Sequence, residues 1–560
     1  MTVAQDDWEA VVARRGITLT EALSARPGGV AQPTPALDGG QRLQVVDTLA
    51  TLLGGAYCHL VQKRAGYALD PVQALALLRR RCASMTDSEF HLAVTGLVTS
   101  LRDAHTRYAG PSHLHRFVAA LPFLVEQCGP ASDPRLLVTK VVDDPELVGD
   151  DQFVQGVRLE WWNGVPATRA LDIYADHETG GRPDSRRARA LESFTFRSLA
   201  YGPPPDEHWV HIGYSTPEGQ EHEVRMDWRV IAPETARTAV RPESRAGLRV
   251  GADLAAQSVR RAKTLLFAPR VWSAERAGRP GAAVAEGSDW LATDLPDVLA
   301  ARPLAGGRWG YLRIWSFDVE DDDAFVAEVA RLLTALPPLG VVVDVRGNPG
   351  GLIWAAERIL QLFTDGEIHP TRFSLLASPL TRAMAASPFN RFELDAWASS
   401  LEDAVVTGEP YAQPLPLTDP AWCNDREHDL YAGPALLVVD STTYSSGDLL
   451  AAGWADHDVG PIVCVGEATG AGGANVWTDV QLRDALVATP YAFPPLPAGA
   501  GLSMSVRRAV RSGPSDGVPI EDLGVSGMPY TMTADDLLHG NHDLLSFCAR
   551  TLDQLAPDRR

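Results

Sequence analysis

Residues 436–454 read LLVVDSTTYSSGDLLAAGW, and how this stretch is read decides the fold. An unbroken apolar run leads into a turn of small polar residues, and helical apolar spacing begins at Leu449. A strand that is apolar throughout suits a sheet covered on both faces. Ser445 and Ser446 sit on the turn. Either would serve as a helix N-cap. A serine at such a junction is also held rigidly, with neighbouring N–H groups aimed outward as a developing oxyanion requires. A nucleophilic serine needs a positioned base, and the stretch contains none.

A second turn has the same grammar. Residues 341–351 read VVVDVRGNPGG, an apolar strand entering a glycine-rich turn before a helical segment. Glycines permit positive φ and close approach to backbone N–H groups, and a helix N-terminus adds partial positive charge. Both suit an oxyanion hole or a phosphate cradle. A phosphate loop would follow its glycines with Lys and Ser or Thr. Here Leu352 and Ile353 follow, which argues against nucleotide binding. Taken alone, the turn is equally well a tight turn without a ligand.

Working outward, WGYLRIWSF (309–317) and GPIVCVGE (460–467) read as strands. DDAFVAEVARLLTAL (322–336) and GLIWAAERILQLF (351–363) read as helices. Strands alternating with helices over 301–560 predict an α/β core with a largely parallel sheet. Residues 41–112 carry helical apolar spacing and end near LRDAHTRY, with Thr86 to Glu89 as one helix start. Residues 113–232 are short alternating runs between Gly, Pro and Asp turns, a β-rich module in which Trp161 and Trp162 pack or line a groove. Residues 1–40 read as an N-terminal arm, 233–300 as a linker or insertion, and 366–430 as a Pro-rich insertion without clear periodicity.

The 560 residues are 45% hydrophobic and 22% charged, ordinary for a multidomain globular chain. A net charge of -21 argues against a nucleic-acid partner, which calls for a basic stripe. No leader-like start and no long apolar run is seen, so no membrane partner is expected and a cytoplasmic location is. The six cysteines are scattered without metal-like spacing and read as reduced, buried thiols. The pairs His113/His115 and His208/His211 lack a third ligand, and HExxH is absent. No metal and no cofactor are expected. Only three of the 50 basic residues are lysines: Lys63, Lys140 and Lys263.

The two turns, followed by VGEATGAGG (465–473), resemble the tail-specific (C-terminal-processing) and tricorn-core family of serine peptidases. That family has a D-x-R-x-N-x-G-G turn, a Ser-x-x-Glu/Asp helix start and a G-E-x-T-x-G stretch. NGVPA (163–167) resembles its PDZ-like module, and 517–543 its C-terminal segment. The resemblance implies a ClpP/crotonase-like α/β catalytic core with an N-terminal helical region and a PDZ-like β-rich module. It implies Ser445 as nucleophile, Asp448 at the acidic helix position, and an oxyanion hole from Ser446 and from Gly350 or Gly351.

Many members activate the serine with a lysine in a G-K-G turn. Gly472 stands at that place, and no lysine follows Lys263. Arginine does not replace it, because it does not deprotonate in proteins. The other branch uses Ser-His-Glu. Its D-x-H-T-like motif matches Asp103 and His105, and its E-x-x-G-V segment matches Glu521, beside Asp522. In tricorn a serine precedes the histidine, and here that residue is Ala104. The implied function is a serine endopeptidase acting on protein or peptide substrates, with homo-oligomer formation left open. The alternatives are a non-catalytic ligand- or peptide-binding protein on this fold and a crotonase-like acyl-CoA enzyme.

Overall fold

A computed structural model describes residues 15–24, 36–112, 114–115, 117–232, 250–276, 280–284, 288–304, 306–389, 392–426 and 430–555. His113 and parts of the 1–40 and 233–300 segments lie outside the described residues.

The apolar strands assemble as their composition dictates. A six-stranded sheet runs in the order Leu299–Pro303, Gly310–Ile314, Val341–Asp344, Ala435–Asp440, Ile462–Val465, Met528–Tyr530. The first pair is antiparallel and the remaining four are parallel. Val341, Val342 and Val343 are fully buried because helices cover both faces. Burying each such side chain contributes about 1.5–3 kcal/mol. The helices Asp322–Ala335 and Ser446–Asp456 follow the Gly310–Ile314 and Ala435–Asp440 strands. Val341–Asp344 and Ala435–Asp440 are parallel neighbours, so their C-terminal ends meet at one sheet edge. That is where open parallel sheets place their functional turns.

A second sheet joins distant parts of the chain. Gly501–Val510 pairs with Arg372–Leu375, Ala474–Thr478 and Arg107–Ala109. The N-terminal helices pack on it through Leu49, Leu53 and Phe90. One of these, Asp87–Thr99, starts where Thr86 to Glu89 predict a helix start, and it is closed by a capping box between Thr86 and Glu89. Each residue's side chain takes the other's backbone N–H. Leu380, Met384, Trp397 and Leu401 of the 366–430 segment join the same core.

The β-rich region has its own core around Phe123, Phe153, Trp162, Ile212 and Tyr214, under a six-stranded antiparallel sheet. Trp162 is buried there, while half of Trp161 faces solvent. Within 233–300, residues Val250–Ala252 form a strand and Leu254–Phe267 a helix. Val259, Ala262, Leu265 and Leu266 of this helix pack on Val118, Phe196 and Ile231. A three-residue strand paired through glycine has no side-chain pattern to read. All six cysteines are buried free thiols. Among the described residues no helix is long and apolar enough to cross a membrane.

Candidate active site

The two glycine- and serine-rich turns are locked together by backbone. Asp440 Oδ1 accepts the N–H of Thr443 at 2.7 Å and of Gly347 at 3.0 Å. Tyr444 donates its N–H to the Asn348 carbonyl at 2.9 Å. Asp344 and Arg346, the two ends of D-x-R, form a partly buried ion pair at 2.7 Å, and the Tyr311 hydroxyl also donates to Asp344. Burial alone would raise the Asp344 carboxyl, but Arg346 and Arg313 hold it well below the usual range. These contacts give the turn a fixed shape from which Ser445 projects.

Ser445 has φ 61° and ψ −119°, a conformation that costs a non-glycine residue on the order of 1–3 kcal/mol. Its N–H donates to Asp448 Oδ2 at 2.7 Å. Asp448 also accepts from Ala471 at 3.0 Å and Gly472 at 2.8 Å. Burial raises the Asp448 carboxyl to about 6 despite these donors. With Asp448 holding the Ser445 N–H, the Ser445 hydroxyl lies 2.8 Å from His105 Nε2, and both side chains are buried.

The His105 loop is held from beneath. Asp103 Oδ1 accepts the His105 N–H at 2.8 Å, and its Oδ2 accepts the hydroxyls of Thr106 and Ser505. Ser503 donates to the His105 carbonyl at 2.9 Å. The Tyr444 ring lies 4.7 Å from the imidazole, and its hydroxyl accepts the Ala104 N–H. Burial lowers His105 to about 4, against the opposing charges of Asp103 and Asp253. At neutral pH the imidazole is therefore uncharged and able to accept a proton.

Glu521 lies apart from the imidazole. Its Oε1 accepts from Lys63 Nζ at 2.7 Å and its Oε2 from the Gly473 N–H at 3.3 Å. No hydrogen bond joins it to His105, whose Nδ1 has no hydrogen-bond partner among the described residues. Glu521 is fully buried, whereas Asp522 is partly exposed, so position 521 and not 522 faces the interior. Lys63, remote in sequence from the α/β core, is brought to this spot by the fold. Nothing in its local sequence marks it, apart from the rarity of lysine.

The predicted oxyanion donors cluster at the serine. A side-chain carbon on Gly350 would fall 2.6 Å from Ser445 Cβ and 3.0 Å from Ser446 N. Gly350 has φ 93°, and a Cβ on Gly351 would overlap the Phe317 carbonyl, so only glycine fits either place. The Gly350 N–H donates to Asn348 Oδ1 at 2.8 Å. The Ser446 hydroxyl donates to the carbonyls of Gly251 and Gly351. Val250–Ala252 pairs antiparallel with Gly350–Leu352, and a carbon on Gly251 would come 2.9 Å from Ser445 Oγ. This strand covers the serine.

Position 472 holds no base and has no room for one. A Cβ there would overlap the Tyr444 ring. Ligand atoms of His59, Asp103 and Glu521 lie within 4.8 Å of one another, a spacing compatible with a metal. Three donors already occupy the Asp103 oxygens, and the Lys63 ammonium supplies a cation at Glu521.

A parallel α/β sheet whose strand-to-helix turn presents a serine to a buried histidine is an arrangement that suits a serine-type peptidase. Residues 308–511 match the model of peptidase family S41. No match was found among curated proteins. Among solved structures the chain is similar to mature CPAF, at TM-score 0.64 and 17% identity over 93% of this chain and 98% of that one. It is also similar to mature CPAF complexed with lactacystin, at TM-score 0.61 and 16% identity over 93% and 99%. At such identities the likeness carries the fold alone.

Proposed function

We propose that the protein is a serine endopeptidase working through a Ser445–His105–Glu521 triad and a backbone oxyanion hole. The observation that carries this reading is the 2.8 Å contact between His105 Nε2 and the buried hydroxyl of Ser445. His105 takes the proton as Ser445 Oγ attacks the peptide carbonyl carbon, then returns it to the leaving amine. Water activated by the same imidazole hydrolyses the acyl-enzyme. The N–H of Ser446, with one from Gly350 or Gly351, receives the oxyanion. Using Gly350 requires Asn348 Oδ1 to release its N–H. Glu521 and Asp103 supply the negative charge that favours the transient imidazolium. Asp448 shapes the nucleophile turn.

The β-rich region is a PDZ-like module that presents peptide by strand addition, and the protein acts in the cytoplasm. The test is cleavage of a casein or peptide substrate by the full chain. Ser445→Ala should abolish it, and unchanged turnover in that variant would reject the assignment.

A further inference from the structure

Helix Leu60–Tyr67 has no place in the chemistry above, yet its polar residues converge on one turn. Lys63 Nζ donates to Glu521 Oε1 at 2.7 Å, to Asp522 Oδ1 at 2.5 Å and to the Arg102 carbonyl at 3.1 Å. Gln62 Nε2 donates to the Glu521 carbonyl and to Asp522 Oδ2. The Tyr67 hydroxyl donates to Asp522 Oδ1 at 3.0 Å. Asp522 has φ 67°, so three side chains of one helix hold a strained turn against Glu521. His59, the residue just before this helix, lies one turn from Lys63, with its Nε2 3.7 Å from Glu521 Oε2.

Lys63 is fully buried. Burial alone would lower its ammonium, but Glu521, Asp522 and Asp103 raise it above the ordinary lysine value. Burial pushes the Glu521 carboxyl up, and Lys63 is the largest influence against that. These two directions pull against each other. The Lys63 ammonium at 2.7 Å favours the anionic form of Glu521, and Asp522, which shares that ammonium at 2.5 Å, opposes it. His59 is also fully buried, and neither ring nitrogen has a hydrogen-bond partner among the described residues. The Tyr57 hydroxyl and His105 Nδ1 share that condition. Buried polar atoms of this kind are ordinarily joined by ordered water.

We propose that Lys63 and His59 are positioning residues of the active site, Lys63 holding Glu521 as an oriented anion and His59, with bound water, linking that anion to His105 Nδ1. This rests on the triad reading above. The link fixes the His105 tautomer with its Nδ1 proton inward, which leaves Nε2 free to accept from Ser445. It also stands in for the direct carboxylate contact that Glu521 does not make to His105 Nδ1.

The test is steady-state peptide cleavage across pH by the full chain and by Lys63→Gln, His59→Gln, Glu521→Gln and Lys63→Gln/Glu521→Gln. Circular dichroism serves as the folding check. Groups facing Glu521 are Tyr57, Cys58, His59, Lys63 and Tyr67 from the first helices and the turn between them, Asp103 from the base loop, Tyr444 from the nucleophile turn, and Asp522. Lys63→Gln should lower kcat about tenfold or more with KM little changed. Its acidic limb should move to higher pH, because Glu521 then protonates more readily.

The double variant should lose no more than Glu521→Gln alone. His59→Gln should lower kcat likewise, and it keeps the proposal testable if Lys63→Gln does not fold. Wild-type kcat and pH profile in a folded Lys63→Gln, or additive losses in the double variant, overturn the Lys63 role while leaving the triad standing. Wild-type kcat in a folded His59→Gln overturns the water link. Full activity in Glu521→Gln overturns the triad reading and this inference together.

Discussion

His105 Nε2 lies 2.8 Å from Ser445 Oγ, although 340 positions separate the two residues in the chain. The contact is made where the second sheet, which holds the histidine loop through Ser503 and Ser505, meets the edge of the parallel sheet.

The strain at Ser445 separates activity from stability. Ser445→Gly removes the nucleophile but accepts φ 61° freely. It should lose cleavage by about 10⁴-fold or more. Its unfolding temperature should equal or exceed that of the wild type, since about 1 kcal/mol of backbone strain is relieved. A fluorophosphonate probe should label the wild type at Ser445 and leave the variant unlabelled. Absence of label on folded wild type would favour the non-catalytic binding reading.

The buried imidazole sets the acidic limb of activity. Burial lowers His105 from 6.5 to about 4, and only the neutral form accepts the serine proton. kcat/KM should therefore rise with pH across about pH 4 and stay level through pH 6 to 7. A limb centred near 6.5 would mean that the imidazole titrates as though exposed.

Lysine cannot be restored at position 472. Gly472→Lys puts a Cβ into the Tyr444 ring. It should destabilise the fold by about 2–4 kcal/mol, since neither backbone nor ring has room to yield. Differential scanning calorimetry of Gly472→Ala alone and with Tyr444→Ala checks this. The second change should recover part of the loss.

Glu357 should make stability depend on pH in the opposite sense from a paired carboxylate. It is fully buried and accepts the Thr371 N–H at 2.8 Å and the Thr418 hydroxyl. Burial raises it from 4.5 to about 7, and these donors pull back only partly. Between those values the unfolded chain releases this proton while the native chain keeps it. Its contribution is full below about pH 4.5 and declines as pH rises to about 7. Glu357→Gln removes the dependence. The unfolding temperature of Glu357→Gln relative to wild type should climb between pH 5 and pH 8, and a constant difference would refute the buried, proton-retaining carboxyl.

Legibility followed the range of the interactions. The Val341–Asp344 and Ala435–Asp440 strands were readable because an unbroken apolar run is a local property. The helix start at Thr86 was readable because the residues that cap it stand within three positions of one another. The Val250–Ala252 strand was not, because its pairing runs through glycine backbone at Gly251 and Gly351. Lys63 looked remote from the α/β core in sequence, and its partner lies 458 positions away.

By itself the sequence determined the α/β grammar, the order of the two turns, the absence of a lysine after position 263, and the serine, histidine and glutamate that family resemblance singles out. Only the tertiary structure decided which polar groups meet. It brought Ser445 to His105, gave Glu521 to Lys63 rather than to the imidazole, and filled the space beside Gly472 with the Tyr444 ring. Apolar periodicity and caps act over a few residues. The pairing of buried charges depends on which distant segments share one dry interior, where an unpaired charge is too costly to persist.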